Sequence, residues 1–141
     1  MKVTFLISAA SLLVISFCSA EQTKNYSGND GVTTRFLAVG ENGIWTLNQV
    51  DGTVSRIDPY TNKLIATIDA KVIGSGGDIA AGAGKIWVRG NKTAFLVTID
   101  PKTNVVRDRY GPLSGSGAVR VTADSNVWIS AHDINTIWII K

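Results

Sequence analysis

Ile57-Asp58-Pro59-Tyr60-Thr61-Asn62 and Ile99-Asp100-Pro101-Lys102-Thr103-Asn104 are one phrase written twice, 42 residues apart. Each follows a tryptophan by the same interval: Trp45 stands thirteen residues before Asp58, and Trp87 thirteen before Asp100. A third tryptophan, Trp128, comes 41 residues after Trp87 and runs in step to Ile140 and Lys141. Self-similarity at this period marks a repeat architecture, and it has to be read before any single element.

Each period divides into short β-like runs parted by turn chemistry. The first copy gives 32–38, 44–47, 53–57 and 64–69, and the second 78–81, 85–89, 94–99 and 105–110. The third supplies 118–122, 127–131 and 136–140 and lacks a fourth run. No segment carries the three-to-four-residue apolar spacing of a helix. In the Asp-Pro-x-Thr-Asn phrase Pro presets φ, and Asp and Asn can bind nearby backbone N–H groups, so these residues are read as a turn rather than as chemistry.

Four strands in each unit of about 40–45 residues predicts β-propeller blades. The expected fold is all-β: a partial propeller of about three four-stranded antiparallel blades, the last incomplete, at 32–73, 74–117 and 118–141. A lone sheet with two apolar faces cannot bury both. Stacking blades covers them, and a large ring on each second strand fills the gap between neighbouring sheets.

Gly43-Ile44-Trp45, Val54-Ser55-Arg56-Ile57-Asp58-Pro59 and Thr61-Asn62-Lys63-Leu64-Ile65-Ala66-Thr67-Ile68 resemble the YVTN-type and virginiamycin B (streptogramin) lyase-like propellers, over roughly residues 32–141. The resemblance implies a blade type; these repeats serve many unrelated roles. Streptogramin lyases open an ester by elimination with a His, a Glu and a divalent cation such as Mg²⁺. That likeness makes His132, after the Trp128 strand, the candidate base. Its expected Glu partner has no counterpart: Ala131 precedes the His, and Glu21 and Glu41 lie outside the motif.

The chain's start reads as an address. Met1-Lys2, an apolar run over 3–17 and Cys18-Ser19-Ala20 form a secretory signal peptide (1–20), followed by a polar linker at 21–31. The run is short against the ~20 residues that span a bilayer. Phe17 stands where lipoprotein signals carry a small residue, which argues against lipidation of Cys18. Cleavage after Ala20 leaves no cysteine, suiting a secreted or periplasmic location. No second apolar run reaches membrane-spanning length.

Composition excludes further classes. At 18% charged and 45% hydrophobic the chain is no disordered tail. One Cys and one His cannot build a thiolate or multi-His metal site. A net charge of +3 is too small to suggest nucleic-acid binding.

Candidate recognition residues fall on the rim, where loops between second and third strands share a side with the connections between blades at 71–77 and 111–117. They are Asn48 and Gln49 from copy one, Arg89, Asn91 and Lys92 from copy two, and His132, Asp133 and Asn135 from copy three. This amide-rich, weakly basic set suits a small polar ligand or a protein segment. His132 departs from its repeat equivalents Gln49 and Asn91; the competing reading is a solvated loop residue. The glycines of 74–77 and 114–117 lack the strand-and-helix frame of a phosphate loop and are read as crossings between blades. Trp138 is either an exposed aromatic or packs on whatever closes the stack. Propellers have about four to eight blades, so either this is a truncated or divided propeller or several copies close a ring. The first is favoured, because no device for symmetric closure is visible. Open faces and edges also invite self-association.

Overall fold

A computed structural model describes residues 36–72, 77–90, 96–111 and 116–141. Among them the chain makes eleven strands, one 3₁₀ turn at His132–Ile134 and no α-helix. The first sheet holds β1 (Phe36–Gly40), β2 (Gly43–Asn48), β3 (Thr53–Ile57) and β4 (Leu64–Asp69). The second holds β5 (Asp78–Gly82), β6 (Lys85–Arg89), β7 (Leu96–Asp100) and β8 (Val105–Tyr110). The third holds β9 (Val119–Val121), β10 (Val127–Ala131) and β11 (Thr136–Ile140). Strand order is sequential in all three, every pairing is antiparallel, and none closes on itself among the described residues. The result is a partial, propeller-like stack. Residues 32–35 and 94–95, expected to open β1 and β7, lie outside the described residues.

The turns form for local reasons. Oδ1 of Asp58 accepts from the N–H groups of Tyr60 and Thr61 at 2.8 and 3.1 Å, and that of Asp100 from Lys102 and Thr103 at 2.8 and 3.3 Å. Asn62 and Asn104 then take left-handed φ of 53° and 57°, which Asn tolerates well, and each N–H returns to the Asp carbonyl at 2.9 Å. Two copies of one phrase thus fold as two copies of one turn.

Stacking places the core. Trp45, Leu47 and Val54 of the first sheet pack on Ile79, Ile86, Val88, Val97 and Ile99 of the second. Trp87 and Leu96 pack on Val119, Val127 and Ile129 of the third. Both indoles donate to a glycine carbonyl at 3.0 Å, Trp45 to Gly40 and Trp87 to Gly82. Those glycines also let inner strands converge: a Cβ on Gly40 would stand 3.0 Å from Ala81 Cβ, and one on Gly82 2.8 Å from Val121 Cγ1.

Away from the rim, the turns lock neighbouring sheets. Arg56 lies over the Trp45 ring at 4.8 Å and donates to Pro101 O at 2.5 Å, Asn104 Oδ1 at 2.9 Å and Asn42 O at 3.1 Å. Glu41 Oε1 accepts from the Gly84 N–H at 2.9 Å. Trp138 is not the exposed aromatic of the first sequence reading. It packs half-buried against the cluster between sheets two and three, while Ile137 and Ile139 face outward.

Candidate functional site

At the rim end the inner strands β1, β5 and β9 surround a cavity of about 430 Å³, with Phe36, Asp78, Arg120, Ser116, Ser130 and His132 in its wall. A second cavity of about 480 Å³ continues along the same strands and shares Phe36, Asp78 and Arg120. The two make one cleft, more apolar at the rim and more polar along the strands.

Asp78 is the joint between sheets two and three. Its Oδ1 accepts from the Ile79 N–H at 2.9 Å; its Oδ2 accepts from the Val119 N–H at 3.0 Å and from Arg120 Nη1 at 2.5 Å. A buried carboxylate with three donors is satisfied, as burial requires. Opposite it in the β5–β6 register stands Arg89, a fully buried guanidinium. Burial pushes its pKa below the ordinary arginine value, and the charges of Asp133 and then Asp78 pull it back up.

The connection entering β9 is stitched to the turn after β10. Ser116 O accepts from the His132 N–H at 3.0 Å, the Ser116 N–H donates to Asp133 Oδ2 at 2.7 Å, and the Ala118 N–H donates to Ser130 Oγ at 2.9 Å. A Cβ on Gly117 would fall 1.9 Å from Ser130 O, so only glycine lets the chain run this close.

Ser116, His132 and Asp133 therefore meet, but not as a catalytic relay. Ser116 Oγ lies 3.3 Å and Asp133 Oδ1 2.8 Å from the same ring nitrogen, Nε2. A base that takes a serine proton needs Ser on one nitrogen and the carboxylate on the other. Nor do His132 and Asp133 fit the divalent cation that the lyase likeness implies. No group of three or more His, Cys, Asp or Glu able to hold a metal forms among the described residues.

The other expected residues divide. Asn48 is not on the rim surface: it ends β2, fully buried, its Nδ2 donating to Thr53 Oγ1 at 2.8 Å and Ser55 Oγ at 3.0 Å. Gln49 is buried too, with Nε2 next to Gly77, where a Cβ would come within 3.2 Å of it. Asn135 shapes the turn, at φ 50°, with its backbone N–H returning to His132 O at 3.3 Å. His132 and Asp133 are exposed. Asn91 and Lys92 lie outside the described residues.

Sequence reading missed Phe36, Asp78, Arg120, Ser116 and Ser130. A signal for Arg120 was present but displaced. Arg120 faces Trp128 across the ladder as Ala80 faces Trp87 and Ala38 faces Trp45. The β9–β10 turn holds one residue more than its equivalents, so a gap-free alignment sets Arg120 against Ile79 and Leu37 instead.

No family model matches the chain, and no curated protein matches it. Among solved structures it is similar to the hydrazine synthase of Kuenenia stuttgartiensis, with a TM-score of 0.59 and 10% identity. The match covers 68% of this chain and 28% of that one. At such identity the likeness speaks to fold alone.

Proposed function

We propose that this chain is an exported, non-catalytic binding module of the propeller type, akin to the YVTN-type and streptogramin lyase-like repeats, and that it takes a small polar ligand or a peptide in the cleft along β1, β5 and β9. The observation that carries this reading is the state of the titratable groups. Asp78 has its oxygens filled by Ile79, Val119 and Arg120, and His132 shares one nitrogen between Ser116 and Asp133. Groups occupied in holding backbone support recognition better than proton transfer, which needs a base aimed at substrate.

The test sets binding against turnover. The full chain is incubated with ester and lactone substrates, with and without Mg²⁺, beside His132→Ala. No opening is expected from either protein. A metal-dependent elimination that His132→Ala abolishes overturns the binding reading in favour of a lyase. Export is checked separately: the mature N-terminus is expected at Glu21, and retention of residues 1–20 counts against it. The stack is read as part of a larger propeller, so a monomeric solution mass is expected. A discrete dimer or trimer would instead mean that several copies complete the ring.

A further inference from the structure

We propose that the cleft is a site for an organic anion, a carboxylate with an apolar or planar body, seated by Arg120 with its body against Phe36; the inference rests on the binding reading above and names its ligand class. Arg120 Nη1 donates to Asp78 Oδ2 and to the carbonyl of Val119, at 2.5 and 2.6 Å. Both contacts use one nitrogen. Among the described residues Nε and Nη2 are left for a ligand, and the side chain is 66% exposed. A guanidinium held at one corner is a pre-oriented fork, and the fork geometry matches a carboxylate in two parallel bonds.

The charges in the wall are unequal in access. Asp78 lines the cleft but is only 7% exposed, and its oxygens already accept from three donors, whereas the Arg120 side chain is 66% exposed. Asp133 is engaged by the Ser116 N–H and by His132. Arg89 adds a buried positive charge behind Asp78. Phe36 borders both cavities, and Val121 joins it in the wall of the second. Ser116 and Ser130 stand in the wall at the rim end.

Benzoate and its neutral isostere benzamide separate the possibilities, with the full chain observed by amide NMR. Benzoate should shift the signals of Phe36, Arg120 and Ser130, and benzamide should bind at least about tenfold more weakly, since a charge-assisted pair is lost. Arg120→Gln should reduce benzoate affinity by a similar factor. Arg120→Lys keeps the charge without the fork and should fall between; it also serves if Arg120→Gln loses its tryptophan near-UV signal. Equal binding of the two probes, or a folded Arg120 variant that binds benzoate unchanged, overturns the anion class and leaves the binding reading standing. If neither probe moves any cleft signal, both fall.

Discussion

Trp45 and Trp128 occupy the same place in their sheets, the second strand facing the next sheet, yet the first is fully buried and the second 40% exposed. The difference lies in what stands opposite. Trp45 is covered by the second sheet and Trp87 by the third, whereas among the described residues no sheet covers the face that carries Trp128, Ile137 and Ile139. Local equipment differs as well. Trp45 and Trp87 donate to glycine carbonyls and lie under Arg56 and Lys85. Across the ladder from Trp128 stands Ile139, where Trp45 has Arg56. Similar letters thus mean core in two sheets and surface in the third.

That contrast can be broken most directly with alanine. Trp45→Ala should cost about 3–5 kcal/mol of unfolding free energy, through lost transfer energy and a cavity. Trp128→Ala should cost under about 1 kcal/mol. Urea melts followed by circular dichroism measure both, and equal losses would mean that Trp128 is covered in solution. Next in size are the joints. Asp78→Ala leaves the Val119 N–H without an acceptor and strips Arg120 of its carboxylate partner at the boundary of sheets two and three, an expected loss of about 1.5–3 kcal/mol.

Glycine substitution sharpens the same boundary. Gly117→Ala drives a methyl into Ser130 O and should cost about 1–3 kcal/mol. Gly111→Ala, with no described residue within 4 Å of the new Cβ, should stay within about 0.5 kcal/mol in the same melts.

The smallest effect concerns the Asp-Pro turns of the first two sheets, which have no counterpart in the third. The hydrogen bond from Arg107, then that from the Lys102 N–H, hold the Asp100 pKa down at about 2, below the ordinary aspartate value. A depressed folded pKa means that the unfolded chain binds the proton more readily. The turn's contribution is therefore complete above about pH 4 and declines as pH falls towards 2. Thermal melts of Asp100→Asn should lose that part of the acid dependence; an unchanged acid profile would show the turn to be uncoupled from the fold.

Much of this was legible because it is local. The Asp58 and Asp100 turns close on themselves within four residues, and their repetition revealed the period. Trp138 was harder: alternation along β11 separates it from Ile137 and Ile139 but does not say which side meets a neighbouring sheet. The run 44–47 puts Asn48 in the following loop, yet the β2–β3 ladder continues through it and turns its amide onto Thr53 and Ser55. Arg120 was hidden by one extra turn residue.

From its own letters the chain determined hairpins, strand order and a repeating blade, since hydrogen bonds between near neighbours and the two-residue strand period need no distant partner. Only the tertiary structure decided which apolar faces are covered and which side chains share a cleft. Phe36, Asp78, Arg120 and His132 come from three different sheets. What unites them is the convergence of inner strands at Gly40 and Gly82, a product of packing that no interval in the sequence records.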